Sequence, residues 1–325
     1  MRAWQVERLG EPIDVMSLVD VEVPSIGPDE VLVKARAIAI NFPDVLLARG
    51  EYQVKPQLPF TPGLELCGEV VEIGSNVSHL TLGQRVIGSK IGVLAEFAVL
   101  DGAMTFAAPD SLSDEEAAAL YIGHQTGFFG LHRRAHLKAG ETLLVHAAAG
   151  GVGTAAVQLG KAAGARVIGV VGSAAKIDVA KTAGADFVID RSKDDFVAVV
   201  NEITRGRGAD VIYDPVGGDV FERSTKCIAF EGRIVVVGFA SGAIGVAKAN
   251  HALVKNYGIL GLHWGLYATK APQLIAEAHR ELTDLADAGE VRPVVGEILP
   301  FEDAAVAIQK LAAGDTVGRL VVTLV

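Results

Sequence analysis

Short runs rich in Val and Ile mark the first third of the chain as β structure. Turn signals such as IGPDE, TPG and GSN separate these runs. Patterns typical of crossover helices are scarce between them, so we expect an antiparallel, strongly bent sheet. The predicted strands are MRAWQVERL, EVLVKARAIAI, LCGEVVEIG, QRVIG and LAEFAVL.

From about residue 115 the pattern changes to alternating helices and strands. The stretch DEEAAALYIGHQTGFFGLHRRA predicts a helix with Ser113 or Asp114 as its N-cap and acidic residues in its first turn. Nearly continuous apolar strands such as IVVVG are typical of a parallel sheet that is covered on both faces. Repeated βα units of about 30 residues predict a doubly wound domain. In chain order the segments are TLLVHA, GVGTAAVQLGKAAG, RVIGVV, SAAKIDVAKTAGA, FVID, DDFVAVVNEITRG, DVIYDPVG, FERSTKCIAF, RIVVVGFA and YGILGLHWG.

The last sixty residues are too few to form a domain of their own. They contain a helix in PQLIAEAHRELTDLADAGE, a strand in VVGEILP, a helix in FEDAAVAIQKLAAG and a strand in RLVVTLV. We expect them to pack on the N-terminal β region. The predicted organisation is therefore a discontinuous catalytic domain, residues 1–122 and 266–325, around an inserted nucleotide-binding domain, residues 123–265.

Charge and cysteine content exclude several classes of function. The 325 residues carry 29 basic and 39 acidic side chains, a net charge of −10, and no basic cluster, so we expect no binding to nucleic acid. No apolar run reaches the roughly 18 residues of a membrane span. Cys67 and Cys227 are the only cysteines, too few for a disulfide framework, and a cytoplasmic location is expected.

The most informative motif is a glycine-rich turn in LLVHAAAGGVGTAAVQLGKAAGA. A buried strand runs through this turn directly into a helix. Gly150 allows the backbone to approach a pyrophosphate, and Gly153 allows the helix to pack close to the sheet, although Ala148 replaces the first glycine of the usual motif. The free N–H groups and the positive end of the helix dipole suit phosphate. The context predicts a dinucleotide site.

The residues after the second strand indicate which dinucleotide binds. NAD sites place an acidic residue there to bind the ribose 2′-hydroxyl, whereas this chain has Gly172-Ser173, followed by Lys176. Ser173 and Lys176 are suited to a 2′-phosphate, and Arg191, after the third strand, is a second candidate cation. The pattern favours NADPH.

Taken together, these segments resemble the zinc-independent quinone oxidoreductase (zeta-crystallin-like) branch of the medium-chain dehydrogenase/reductase superfamily along essentially the whole chain. The resemblance implies an α/β protein with a GroES-like β-rich catalytic domain and a Rossmann domain with a doubly wound parallel sheet. It also implies NADPH, a cleft between the domains, and a homodimer or homotetramer. The matching segments are AIAINFPDVLLARGEY, PFTPGLELCGEV, HAAAGGVG, DVIYDPVGG, VVVGFASG and GLHWG.

The same resemblance assigns roles to individual residues. Asn41 is expected beside the nicotinamide and Tyr52 in the substrate pocket, and both are the catalytic candidates. Relatives often carry Tyr where Arg191 stands, and Leu46 replaces a tyrosine of some quinone reductases, so their quinone preference does not transfer. The implied cofactor-binding residues are Asn41, Thr126, Gly150, Gly151, Val152, Gly153, Ser173, Lys176, Arg191, Phe239 and Arg319.

A zinc site is not expected. Zinc-dependent relatives have Cys at the position of Asn41 and His at that of Leu64, and their four-cysteine lobe is missing here. Cys67 is predicted to be a small buried residue. His132 and His136 share the HRRAH spacing but lack the adjacent Glu of a zinc motif, so we expect both at the surface.

The acceptor must be a small electrophile. Without a metal, only hydrogen-bond donors stabilise a developing oxyanion, which favours a quinone or an α,β-unsaturated carbonyl compound, an enoyl thioester included. Tyr52 or water delivers the proton to an enone. Two other interpretations stay open at this point: a zinc-type alcohol dehydrogenase, and a non-enzymatic protein that binds NADPH or nucleic acid.

Overall fold

The computed structural model describes residues 1–324, in which the strands are distributed over three sheets. Each strand expected from the sequence is formed. The strands are β1 (Arg2–Val6), β2 (Met16–Asp20), β3 (Glu30–Ile40), β4 (Glu65–Ile73), β5 (Arg85–Ser89), β6 (Phe97–Asp101), β7 (Thr105–Ala107), β8 (Thr142–His146), β9 (Arg166–Val171), β10 (Phe187–Asp190), β11 (Ala209–Asp214), β12 (Ile228–Val236), β13 (Gly258–Gly261), β14 (Val295–Pro300) and β15 (Arg319–Thr323).

Helices separate most of the later strands. They are α1 (Pro12–Val15), α2 (Phe42–Arg49), α3 (Asp114–Phe128), α4 (Gly151–Ala162), α5 (Ile177–Thr182), α6 (Phe196–Ile203), α7 (Gly218–Ser224), α8 (Ala249–Lys255), α9 (Leu266–Lys270), α10 (Pro272–Asp287) and α11 (Ala304–Ala313). Ser113 caps α3, because its Oγ accepts from Glu116 N and the Glu116 carboxylate accepts from Ser113 N. Among the described residues, no helix is both long and apolar enough to cross a membrane.

The first of two compact units holds Met1–Ile122, Lys270–Asp287 and Arg292–Val325. Its main sheet has the order β14-β15-β3-β4-β5-β7, and β6 also pairs with β3. All pairs are antiparallel except β14 with β15. The eleven-residue β3 pairs with three partners and has two register shifts against β4, which bend the sheet as the sequence suggested.

The second unit holds Gly123–Thr269 and Ala288–Val291. Its six-stranded sheet has the order β10-β9-β8-β11-β12-β13, and every pair is parallel. Chain order reverses between β8 and β11, which makes their carboxyl ends the topological switch point where ligands bind in such sheets. The expected Rossmann topology and GroES-like β-rich region are both confirmed.

The sequence prediction missed the short helices of the first unit. α2 lies in INFPDVLLARG, where Pro43 stands at the start, Asp44 at the third position and Gly50 with φ 72° after the end. These residues are ordinary signals for the start and end of a helix, but the apolar run between them is too short to show a helical period. The predicted long helix after residue 114 also changes to a π-helix over Phe129–Arg134. The domain division 1–122 with 266–325 and 123–265 stays a proposal.

Candidate functional site

The glycine-rich turn connects β8 to α4 at the switch point of the parallel sheet. Ala147 has φ 51°, Gly150 N donates to Ala147 O at 2.9 Å, and α4 begins at the next residue. No side chain caps this end of α4. The backbone N–H groups of the first turn therefore face outward from the helix with the positive end of its dipole, which is an arrangement that binds phosphate.

Two glycines of this turn keep the backbone accessible. A Cβ on Gly153 would lie 2.0 Å from Ala147 O, so only glycine allows α4 to pack this closely against the end of β8. A Cβ on Gly150 would lie 3.4 Å from the same oxygen, which is an ordinary contact, so the steric requirement for glycine is at Gly153. The bare backbone of the turn at the start of α4 fits a pyrophosphate.

The structure brings Arg191 to Gly172 and Ser173. Since β9 and β10 are parallel neighbours, Arg191 N donates to Val171 O at 3.0 Å, and its Nε lies 3.9 Å from the point a Cβ on Gly172 would occupy. Lys176 N donates to Ser173 O at 3.1 Å in the same turn. Gly172 and Arg191 are exposed, so this corner offers a cation where NAD-binding folds place a carboxylate.

Thr126 and Phe239 belong to other elements of the second unit. Thr126 is buried on α3. Phe239 lies on the loop after β12, is 43% exposed and covers Gly217, whose added Cβ would meet the Phe239 ring at 2.7 Å. Gly217 N in turn donates to Asp214 Oδ1 at the end of β11. Phe239 thus lies at the carboxyl side of the sheet.

Three neighbouring strands of the first unit bring Asn41, Glu65 and Arg319 together. Asn41 follows β3, Glu65 opens β4 and Arg319 opens β15, and the order β15-β3-β4 places these strand ends side by side. The three residues are 4%, 0% and 5% exposed. Strand register, rather than proximity in sequence, forms this buried polar cluster, which we call the Asn41 cluster.

The hydrogen bonds of the Asn41 cluster fix the orientation of one carboxamide. Asn41 Nδ2 donates to Ala39 O at 3.1 Å and to Glu65 Oε1 at 2.9 Å. Arg319 donates through Nη1 to Asn41 Oδ1 at 3.0 Å and through Nη2 to Glu65 Oε1. Ile122 N donates to the other oxygen, Glu65 Oε2, at 2.7 Å. Both amide hydrogens of Asn41 are therefore used inside the protein.

Asp44 adds a second buried carboxyl next to this cluster. Its oxygens accept from Asn41 N at 2.8 Å and from Gly63 N at 3.0 Å, which joins the start of α2 to the turn before β4. Burial raises the pKa of Asp44 to about 7, against the opposing effect of its two backbone hydrogen bonds. Burial also raises the pKa of Glu65, and the positive charge of Arg319 opposes this shift.

Tyr52 lies in the loop after α2. Its backbone N–H donates to Leu46 O at 3.2 Å, and its ring packs against the hydrophobic core of the first unit. Burial, followed by the charge of Asp44, raises the pKa of the Tyr52 phenol. The phenol keeps its proton at neutral pH and is available as a donor.

The described residues, 1–324, contain no group of three His, Cys, Asp or Glu side chains arranged to hold a metal. Leu64 is buried, and burial raises the pKa of the buried Cys67 thiol to about 12, so the prediction of a small buried cysteine is confirmed. His136 is exposed as expected. The expectation for His132 is wrong: its ring is half-buried and packs on Phe128 at 4.9 Å between centroids.

Sequence reasoning missed Glu65 and Asp44 as members of the site. Glu65 follows Leu64, the position at which zinc-dependent relatives have histidine, and Asp44 lies in the segment AIAINFPDVLLARGEY, but neither pattern predicts a buried carboxyl at the site. A carboxylate that opens an otherwise apolar strand, as in LELCGEVV, is the signal that was available for Glu65.

Comparison with known proteins agrees with this architecture. Residues 27–110 match the family model described as alcohol dehydrogenase GroES-like domain, and residues 151–280 match the one described as zinc-binding dehydrogenase. A GroES-like unit followed by a parallel dinucleotide-type sheet defines the class of medium-chain dehydrogenases/reductases.

Relatives of similar length narrow the class. The chain is 39% identical to a quinone oxidoreductase-like protein 2 homolog of Nematostella vectensis, over 99% of this chain and 88% of that protein. It is 36% identical to a quinone oxidoreductase of Pseudomonas aeruginosa, over 95% of each. A crystal structure of Escherichia coli quinone oxidoreductase complexed with NADPH superposes with a TM-score of 0.93 at 32% identity, covering 100% of both chains. The chain belongs to the quinone oxidoreductase-like family of medium-chain dehydrogenases/reductases, which are oxidoreductases.

Proposed function

We propose that this protein is an NADPH-dependent reductase that transfers hydride to a quinone or an α,β-unsaturated carbonyl compound without zinc. The choice of NADPH rests on the position of Arg191 beside the Gly172–Ser173 turn. NAD-binding proteins have a carboxylate at this turn, which would repel the 2′-phosphate of NADPH, whereas this chain has a cation nearby. The solved relative complexed with NADPH supports the same choice. Bound NADPH supplies the hydride.

Each part of the second unit has a task in holding this cofactor. The N–H groups that follow Gly150 bind the pyrophosphate, and Gly153 keeps α4 close to it. Ser173, Lys176 and Arg191 bind the 2′-phosphate through charge-assisted hydrogen bonds. The remaining residues assigned to the cofactor are Asn41, Thr126, Gly151, Val152, Phe239 and Arg319.

The first unit supports a reaction that needs no Lewis acid. Leu64 stands where a zinc-ligand histidine would be required, and Asn41 stands at a cysteine position. A conjugated acceptor spreads the developing negative charge over its own π system, so hydrogen bonds suffice to stabilise it. Tyr52, whose phenol stays protonated, is the proposed donor of the proton that follows hydride addition to an enone.

The acceptor is tested by following NADPH oxidation at 340 nm with quinones, enones, an enoyl thioester and a saturated ketone. We expect turnover with at least one conjugated acceptor and none with the saturated ketone. Treatment with a chelator should leave the rate of NADPH oxidation unchanged, and metal analysis before and after the treatment reports the zinc content. Stoichiometric zinc whose removal abolishes turnover would exclude the zinc-free mechanism, and NADPH binding without oxidation by any acceptor would support a non-enzymatic role.

The 2′-phosphate site is tested by comparing NADPH and NADH binding. A charge-assisted contact is worth about 1.5–3 kcal/mol, so Arg191→Ala or Lys176→Ala should weaken NADPH binding by about 10- to 150-fold and leave NADH binding nearly unchanged. Lys181→Ala, which removes the same charge at the other end of α5, should affect neither cofactor. Equal losses for both cofactors would place the 2′-phosphate elsewhere.

We further propose a homodimer formed through β13, the edge strand of the parallel sheet. No described strand pairs with its outer side, and unpaired edges invite association. An apolar surface accompanies it: Leu253 and Val254 on α8 are each 76% exposed. Two copies of β13 pair antiparallel about a twofold axis, which buries the same surface of both.

Light scattering at micromolar concentration should give the mass of a dimer or a dimer of dimers. The double variant Leu253→Asp, Val254→Asp should shift the protein to a monomer, whereas Leu82→Asp, at a similarly exposed leucine of the first unit, should not. A monomeric wild type would refute the proposal. We also propose a cytoplasmic location, which the free cysteines Cys67 and Cys227 support.

A further inference from the structure

The second unit has a groove at the amino edge of its parallel sheet, opposite the edge that carries the glycine turn. The groove lies where β11 and β12 begin, and its volume is about 560 Å³, within the range of about 300–1,000 Å³ that small-molecule sites have. β11 is six residues long, so at about 3.3 Å per residue the two edges of the sheet lie about 20 Å apart. We call it the Phe230 groove, and its lining includes Arg207, Asp210, Lys226, Phe230 and Lys255.

A bulge in β12 presents the ring of Phe230 to this groove. Pairing with β11 stops at Ile228 and resumes at Arg233, so that residues 229–232 stand opposite a single residue, Asp210. Such bulges turn a side chain away from the direction that regular pairing would give it. Phe230 lies inside the bulge and is 70% exposed, which leaves a face of its ring for a planar group to stack on.

Hydrogen bonds join the bulge and the helices around the groove. Glu231, the residue after Phe230, has φ 58°, and its N–H donates at 2.8 Å to the carbonyl of Asn256, which follows α8. Lys255, the last residue of α8, donates through Nζ at 2.8 Å to the carbonyl of Thr225, which follows α7. These bonds order part of the groove without a ligand, which reduces the entropy that binding would cost.

The charged residues of the groove are mostly positive in a chain whose net charge is −10. Arg207, Lys226 and Lys255 give three positive charges against the one negative charge of Asp210. Arg207 Nη1 donates to Asp210 Oδ1 at 2.6 Å, and Thr142 N donates to Asp210 Oδ2 at 2.7 Å, so both oxygens of this carboxylate are bonded. Within residues 1–324 neither lysine forms an ion pair. The groove therefore keeps two ammonium groups whose charge is not compensated.

We propose that the Phe230 groove is a second binding site, for a small aromatic phosphate monoester whose ring stacks on Phe230 and whose phosphate is bound by Lys226 and Lys255. A phosphate monoester carries about two negative charges at pH 7.5, which match the two lysines, whereas a carboxylate would leave one lysine uncompensated. The guanidinium of Arg207, which suits a planar carboxylate, is already bonded to Asp210, and ammonium groups bind phosphate as point charges. The site is independent of the proposed function.

Isothermal titration calorimetry with 1-naphthyl phosphate tests this site. The wild type should bind one molecule per chain with a Kd of about 0.5 mM or tighter, as expected for a ligand of about 15 heavy atoms. Inorganic phosphate lacks the ring and 1-naphthol lacks the charge, so each should bind about tenfold more weakly or not at all. NADH has no phosphate monoester, so it should not displace 1-naphthyl phosphate even at a concentration that fills the cofactor site.

Two pairs of variants locate the binding in the groove. Lys226→Met removes an exposed charge and should weaken binding about tenfold or more, and Phe230→Ala removes the stacking ring and should weaken it about fivefold or more. The matched controls in the same unit are Lys181→Met, at the end of α5, and Phe187→Ala, a 37% exposed phenylalanine on β10. Both should bind within about twofold of the wild type, and thermal unfolding checks that all four variants are folded.

Several results would overturn the proposal. One is the absence of saturable binding of 1-naphthyl phosphate by the wild type, and another is its displacement by NADH, which would place the ligand at the cofactor site. If Lys226→Met lost stability but bound as the wild type does, the lysine would serve only the end of α7. Light scattering should give the same mass for Phe230→Ala and the wild type, and a lower mass would assign the groove to a contact between copies of the chain. None of these measurements uses hydride transfer, so the groove and the proposed function succeed or fail separately.

Discussion

The Asn41 cluster and the glycine turn are built in opposite ways. In the first unit, charged side chains are buried and hold one another: Glu65 and Arg319 bond each other and Asn41. In the second unit, the turn around Gly150 and Gly153 offers backbone N–H groups and no side chain. The cluster depends on a specific set of functional groups, whereas the turn depends on the absence of side chains.

The difference has an energetic consequence. A buried carboxylate and guanidinium have given up hydration, so removing one leaves the other uncompensated. The glycine turn contains no buried charge. It cannot tolerate an added side-chain atom at Gly153, because the nearest atom to a Cβ there belongs to the backbone. We therefore expect the first unit to be most sensitive to lost charge and the turn to be most sensitive to one added methyl group.

The largest effect is expected from Arg319→Met. The substitution keeps most of the aliphatic stem but leaves the buried Glu65 without its cation, which should lower the free energy of unfolding by about 3–5 kcal/mol. Urea or thermal denaturation measures the change. Lys310→Met removes an exposed ion pair with Glu297 and should cost no more than about 1 kcal/mol. If both variants lost similar free energies of unfolding, burial would not make the Arg319–Glu65 pair more important for stability than an exposed pair.

The same contrast explains what the sequence could predict. Periodicity predicted the strands of both units except the short β2 and β7. The local motif predicted Gly150 and Gly153, because a strand, a turn and a helix follow one another within about thirty residues. Arg191 and Ser173 could be related because parallel strands end at one edge of their sheet. These inferences need only local patterns and a rule of topology.

The Asn41 cluster could not be found in that way. Asn41 and Arg319 are 278 residues apart and meet only through the order β15-β3-β4. The family resemblance assigned both to cofactor binding, yet it says nothing about which atoms of Asn41 are already bonded. His132 was misjudged for a related reason, since its contact with Phe128 depends on side-chain packing that a spacing of charged residues does not reveal. Long-range register and side-chain orientation are properties of the folded chain.

A smaller effect is expected from Gly153→Ala in the turn. The added Cβ would lie 2.0 Å from Ala147 O, so α4 must move away from β8, at a cost of about 1–3 kcal/mol. The displacement should also weaken NADPH and NADH binding alike, because both share the pyrophosphate. Gly27→Ala, whose new Cβ would meet only the Glu30 carboxylate, at 3.4 Å, should leave stability within about 0.5 kcal/mol of the wild type. An unchanged affinity in Gly153→Ala would remove the turn from the cofactor site.

The smallest effect concerns pH, where one buried group from each unit should act in opposite directions. Burial raises the pKa of Asp44 to about 7 and lowers that of His146, which contacts Ser224 Oγ at 2.8 Å, to about 3. The stability that a protonated Asp44 gives is complete below its ordinary pKa of 3.8 and is lost as the pH rises through 7. The stability that a neutral His146 gives is complete above its ordinary pKa of 6.5 and is lost as the pH falls toward 3.

Substitutions separate these two contributions between pH 5.5 and 7.5. Linkage gives a loss of about 2 kcal/mol from Asp44 as the pH rises across this window, and of about 1 kcal/mol from His146 as it falls. The stability difference between the wild type and Asp44→Asn should therefore shrink with rising pH, whereas the difference for His146→Gln should shrink with falling pH. Titrating groups that do not interact with the substituted residue cancel, whereas Glu65 is coupled to Asp44, so the slope for Asp44→Asn reports the pair. Denaturation at four pH values measures the slope of each stability difference against pH. Slopes of the same sign would contradict the assignment of a protonated carboxyl to the first unit and a neutral imidazole to the second.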